Sequence, residues 1–199
     1  MNFTRTELSA IHNSGFFHIK ASATHKIDVL LAGVRDEIKH AIQKEKFVFP
    51  KEVDAANGKI FRGENYLGYP YLNLDYPKYF GKESVIAFRT LFWWGNFFSH
   101  TMHLQGKALE EKRKLLIDNW RSFRKKNIYL CVNDTPWQYY YKKDNYISID
   151  KFSETELKQF FIEKEFIKLS ARTSITEYKK LGKFCRETFT VFSSSLFAQ

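Results

Sequence analysis

Cysteine is scarce: Cys131 and Cys185 are the only two in 199 residues. Two thiols cannot staple a fold, which excludes a disulfide scaffold and suits a reducing compartment. Long apolar runs are missing too. The longest, 29–34 and 91–98, fall far short of the ~20 residues a bilayer-spanning helix needs, so no membrane insertion is expected. Residues 1–25 carry Arg5, Glu7, His12, His18 and Lys20 in place of the apolar stretch of a signal peptide, which makes the cytoplasm the expected location. There is no Gly-x-Ser-x-Gly elbow, P-loop, Gly-x-Gly-x-x-Gly, His-Glu-x-x-His helix, cysteine zinc knuckle or EF-hand loop. No metal and no cofactor is therefore expected, and whether the chain is an enzyme stays open.

What is present is a chain of 44% hydrophobic residues, enough to bury a core and to exclude disorder as the main state. Thr4 and Glu7 have capping-box spacing and open a short helix to about Asn13. Asn13-Ser14-Gly15 breaks it. Ile27, Leu30, Leu31, Val34, Ile38, Ala41 and Ile42 then recur at three- and four-residue spacing and predict one amphipathic helix to about Lys46. Gly33 inside it costs about 1 kcal/mol relative to Ala, which points to close packing or a local weakness.

From Pro50 the period falls toward two. Strands are expected at 59–62 and 66–74, with Pro77 ending the second, and then a buried hairpin over 84–104. Gly95-Asn96 reads as its two-residue type II′ turn, pairing Trp94 with Phe97, Phe92 with Ser99 and Phe88 with His103. A helix over 107–126 follows, burying Leu109, Leu116, Trp120 and Phe123. Short strands at 128–132, 137–141 and 146–149 make a β-meander. Ser153 and Glu156 form a second capping box, and Ser174 with Glu177 repeats the spacing before a stripe of Tyr178, Leu181, Cys185, Phe189, Phe192 and Leu196. The expectation is a single α+β domain over 1–199: an N-terminal helical segment (1–48), a mostly antiparallel sheet of about seven strands (59–150) with the inserted helix, and C-terminal helices (153–198).

Three constellations bear on function. Tyr66 to Phe98 concentrates aromatics around Asp75 and Arg89, and a buried ion there must pair or face a cleft. In the functional reading Arg89 holds an anionic group with Trp93, Trp94, Tyr71 and Tyr76 around it, while Asp75 with His100 or His103 moves protons. Residues three apart on a strand face opposite ways, which argues against a metal shared by His100 and His103. His18, His25, Asp36 and His40 read as the solvated face of the long helix.

The net charge of +10 is uneven, +3 over 1–100 and +7 over 101–199. Lys107, Lys114, Arg121 and Lys125 form one basic row and Lys179, Lys183 and Arg186 another. The leading expectation is a binding protein without catalytic activity that engages an anionic partner, a small ligand or nucleic acid, through Arg89 and these rows. The first alternative is a small-molecule enzyme with an aromatic cleft and a His/Asp acid–base pair. The second is a homo-oligomer that uses the aromatic-rich region as its interface.

Overall fold

The computed structural model describes residues 1–198. Helices α1 (Arg5–His12) and α2 (Ser14–Glu45) lead into strands β1 (Lys59–Tyr66), β2 (Tyr69–Phe80), β3 (Ser84–Trp93) and β4 (Phe97–Gly106). Then come α3 (Lys107–Asp118), a 3₁₀ turn Trp120–Phe123, β5 (Tyr129–Cys131), β6 (Tyr146–Ser148), α4 (Glu154–Glu163), β7 (Phe166–Ser174) and α5 (Leu181–Leu196). The strands form one seven-stranded sheet in the order β1-β2-β3-β4-β7-β5-β6, antiparallel throughout. This is the α+β arrangement expected from the pattern of short turns. No described helix is long and apolar enough to cross a membrane.

Helix ends follow local chemistry. Thr4 and Ser153 each accept from the backbone N–H three residues on, while Glu7 and Glu156 reach back, so both capping boxes form. On α2 the stripe Ile27, Leu31, Val34, Ile38 and Ala41 is buried. Gly33 is exposed, and a methyl group there would meet nothing within 4 Å, so it is a local weakness and not a packing contact.

One face of the sheet carries the main core. Leu72, Leu74 and Tyr76 of β2, Ile86, Phe88 and Phe92 of β3, Phe98, Met102 and Leu104 of β4, and Ile167 and Leu169 of β7 pack under α2, α3 and α5. Phe88 meets Phe189 of α5 edge-on with ring centroids 5.0 Å apart. Burying a side chain of this kind stabilises by about 1.5–3 kcal/mol.

Four expectations are corrected. The β3–β4 hairpin pairs Trp93 with Phe97, Phe92 with Phe98, Leu91 with Ser99 and Ala87 with His103. Its loop therefore has three residues, with Gly95 at φ +69°, and the register is one residue off a two-residue turn. Pro77 does not end β2; the register slips between Asp75 and Lys78, and an irregularity is where a strand can hold a residue with no N–H. Residues 137–141 are not a strand, because side chains take up their backbone groups. Lys168 donates to the carbonyls of Pro136 and Gln138, Asn145 to that of Tyr140, and the Tyr139 N–H donates to the Tyr66 hydroxyl.

The fourth correction is β7, which lies inside the span expected to be helical and sits between β4 and β5. Ile167, Leu169 and Ala171 alternate with Lys168, Ser170 and Arg172, a period of two. Ser174 then caps a 3₁₀ turn Ile175–Lys180 in place of an α-helix. The apolar stripe buries from Leu181 onward, while Tyr178 stays exposed.

Candidate functional site

The other sheet face is polar and aromatic, and α2, α3 and α5 all pack on the opposite face. Because the side-chain period is two, the strand positions between the core residues all point here. The register lines up one crosswise row over five strands: Asp75 opposite Arg89, Arg89 opposite Thr101, Thr101 opposite Ser170, and Ser170 opposite Tyr129. Along this row the polar groups satisfy one another. Arg89 donates from Nε to Asp75 Oδ1 at 2.6 Å and from Nη2 to Oδ2 at 2.8 Å, a bidentate pair. Thr101 Oγ1 and the Tyr141 hydroxyl each lie 2.6 Å from Ser170 Oγ.

Residues 132–145 form a strap over one end of this face. Four anchors hold it: the Tyr66 hydroxyl, the Lys168 amine, the Arg89 guanidinium, which donates from Nη1 to the Tyr139 hydroxyl, and Ser170 through Tyr141. Strap and strands together leave a cleft of about 470 Å³ lined by Phe61, Arg62, Tyr71, Asn73, Asp75, Phe80, Arg89, Leu91, Trp137 and Tyr139. This is within the size range of small-molecule sites. Gly63 makes room for one wall, since a Cβ there would stand 2.2 Å from the Tyr71 ring.

The face carries a net positive charge. Burial alone would pull the Arg89 guanidinium down, but the hydrogen bonds and charge of Asp75 outweigh it, so its pKa moves up and the charge is permanent. Lys168 is 1% exposed and has no carboxylate partner among the described residues. Its amine lies 4.8 Å from the Tyr139 ring centre and 5.4 Å from that of Tyr146. Burial, with Arg89 adding to it, lowers its pKa to about 8. His103, across from Lys168 in the register, is pushed to about 3 by burial and by the charges of Lys168 and Arg89, and its Nε2 has no hydrogen-bond partner among the described residues. At the rim Lys59 and Lys78 lie over the Phe61 ring, at 4.8 and 5.6 Å.

The residues singled out from sequence are distributed as follows. Asp75, Arg89 and Tyr71 come together in the cleft, and His103 joins them on the same face behind Trp137, its ring centre 5.8 Å away. Trp93 is on this face but donates its indole N–H to the Tyr66 carbonyl and packs beside Tyr66. His100 and Tyr76 point the other way. The His100 Nδ1 lies 3.4 Å from Thr90 Oγ1 under α5, its pKa is lowered to about 3 by burial, and Tyr76 donates to the Ala55 carbonyl. Trp94, in the hairpin loop, meets Phe92 of the core face edge-on, with ring centroids 5.6 Å apart.

Of the basic rows, Lys107 pairs with Glu83, Lys114 with Asp118, Arg121 with Glu154, Lys183 with Glu187 and Arg186 with Glu37. Lys125 and Lys179 stand in no ion pair among the described residues. Asp36 of the expected helix face pairs with Arg35. Sequence reading passed over Phe61, Asn73, Trp137, Tyr139 and Lys168. The alternation through 166–174 was the signal for Lys168, whereas the strap residues reach the site through contacts that no local pattern encodes.

Comparison with protein-family models and with curated proteins finds no match for this chain.

Proposed function

We propose that this protein binds a small anionic ligand with a flat apolar body in the cleft of the open sheet face, as a binding protein and not as a catalyst. The observation that carries the reading is the state of Arg89. Of its five N–H donors, two go to Asp75 and one to Tyr139, which leaves one on Nη1 and one on Nη2. With Tyr139 on the outer Nη1 hydrogen, the Nη1–Nη2 edge is left, where a carboxylate can take both. The surrounding charge supports this: Lys168, Lys59 and Lys78 add to Arg89 against Asp75 alone, since Arg62 is paired with Asp28. Phe61, Tyr71, Trp137 and Tyr139 offer flat surfaces for the apolar part.

The acid–base alternative has less support. Asp75 is committed to Arg89 and Asn73, and His103 rests against Trp137 and Phe166. A polyanion on the helix rows also has less, because five of those seven cations already face carboxylates. The two free, buried thiols fit the reducing cytoplasm expected from sequence.

A thermal-shift comparison of indole-3-acetate with its neutral amide tests the reading. At 100-fold excess over Kd the acid stabilises by ~2.7 kcal/mol, a rise in Tm of roughly 5–10 °C for a chain of this size. The amide leaves Tm unchanged. Arg89→Lys keeps a charge beside Asp75 but loses the fork, and should abolish the acid's effect. Equal shifts from acid and amide, or no shift from a panel of aromatic acids, would overturn the proposal, as would an oligonucleotide binding with an affinity that Arg89→Lys leaves untouched.

A further inference from the structure

Residues 1–19 are all exposed, and α1 buries nothing. Among them Phe3, Leu8, Ile11, Phe16, Phe17 and Ile19 are between 42% and 68% exposed. Lys20 of the 32-residue helix α2 pairs with Glu64 of β1, and residues 14–19 continue the helix outward from there for about 9 Å at 1.5 Å per residue. An eight-residue helix with no tertiary support is marginal in water, so α1 needs a surface to lie on.

The same chain carries such a surface. Where α2 enters the body, Ile27, Val29, Leu30, Phe98, Ile175 and Tyr178 line a mainly apolar groove of about 510 Å³ between α2 and the segment that follows β7. The arm cannot fill it within its own chain. Asn13 alone joins α1 to α2, so an α1 folded back would place Leu8 only ~8 Å along α2, whereas Ile27 and Leu30 lie roughly 21–26 Å along it.

From this mismatch of reach and match of chemistry we infer that the groove receives α1 of a second copy, the two chains exchanging arms about a twofold axis. The mode is a helix in a groove, with Leu8 and Ile11 as anchors three residues apart and Phe3 ahead of them. A twofold exchange uses each arm and each groove once and closes, so it gives a dimer and not a filament. The area suffices. Three anchor side chains, Phe3, Leu8 and Ile11, yielding on the order of 80 Å² each, counted with the surface they cover and doubled by symmetry, remove about 1,000 Å², the lower bound of a specific interface.

Two measurements decide it. Light scattering behind size exclusion, from about 1 to 100 μM, should give the dimer mass for the native chain. Leu8→Glu/Ile11→Glu and, independently, Val29→Glu should give the monomer, with far-UV circular dichroism losing no more than the eight helical residues of α1, because all three sites are exposed and the body stays folded. A mixture of a Leu8→Cys chain with a Val29→Cys chain should form a disulfide between the two under mild oxidation, the native thiols being buried. A native monomer at 100 μM overturns the inference. So does a dimer that survives both substitutions, a dimer lost in the arm variant alone, or a Leu8→Cys chain that cross-links only to itself.

Discussion

Lys168 offers the sharpest physical test of the open face, because its burial without a carboxylate has a calculable cost. Its pKa falls from the ordinary 10.5 to about 8, which at 1.36 kcal/mol per pH unit is a penalty of about 3 kcal/mol for keeping the charge inside the fold. Below pH 8 both folded and unfolded chains hold the proton and the penalty is present in full. Between pH 8 and 10.5 the unfolded chain still holds the proton that the folded chain has released, so stability rises with pH across that window. Lys168→Met removes the penalty but strands the carbonyls of Pro136 and Gln138, at about 1–3 kcal/mol each.

Near pH 7 these effects oppose each other, and the variant should lie between about 1 kcal/mol above and about 3 kcal/mol below the native protein in stability. The decisive quantity is how the difference changes with pH. Urea unfolding of both proteins at pH 7, 8, 9 and 10 should show the native chain gaining about 2.5 kcal/mol on Lys168→Met by pH 10. The neighbouring groups that titrate, Cys131, Tyr139, Tyr141 and Tyr146, have their pKa raised by burial and remain in both proteins, so most of their contribution drops out. A difference that stays flat from pH 7 to 10 refutes the account of Lys168 as an uncompensated buried cation.

Other outcomes follow from the same structure. Asp75→Asn and Arg89→Met should each destabilise by about 3–5 kcal/mol, while the double variant costs less than their sum, a coupling that a double-mutant cycle of urea midpoints measures. His100→Leu should gain on the native chain in acid: His100 titrates at about 3 when folded against 6.5 when unfolded, so its protonation opposes folding as pH falls through that interval, and acid-unfolding midpoints should drop. Gly33→Ala should stabilise by about 0.5–1 kcal/mol in thermal unfolding, since the site is helical, exposed and open. Gly63→Ala should drive the Tyr71 ring out of the cleft wall, weakening ligand binding more than it lowers Tm.

How much of this was legible in the sequence varies with the range of the interaction. The helix starts at Thr4 and Ser153 were read well because their capping boxes are complete within four residues, whereas the helix expected over 107–126 ends at Asp118 and the one expected from Ser174 begins at Leu181. The Asp75–Arg89 pair was foreseeable as a pair or a cleft feature, and it is both, since two charges among aromatics leave few solutions. Alternation also splits the aromatic band in two: Tyr71 lines the cleft, while Tyr76, Phe88 and Phe92 enter the core. The hairpin register was missed because two-residue and three-residue loops around Gly95 differ by one position, and that position reverses every side chain of the return strand relative to its partner. The strap's part in the site was out of reach. Trp137 and Tyr139 arrive there through Lys168, Tyr66 and Arg89, partners 30 to 73 residues away in the chain.

The most direct test of the ligand reading is a side-chain nitrogen-15 spectrum of the native protein titrated with indole-3-acetate and, separately, with indole-3-acetamide. The acid should shift the Arg89 Nε–H and Trp137 Nε1–H resonances in a saturable way and leave the arginines of the helix rows, Arg121 and Arg186, where they were, while the amide shifts neither cleft resonance. Movement of the row arginines without Arg89, or identical shifts from acid and amide, would contradict an anion held by Arg89 in the cleft.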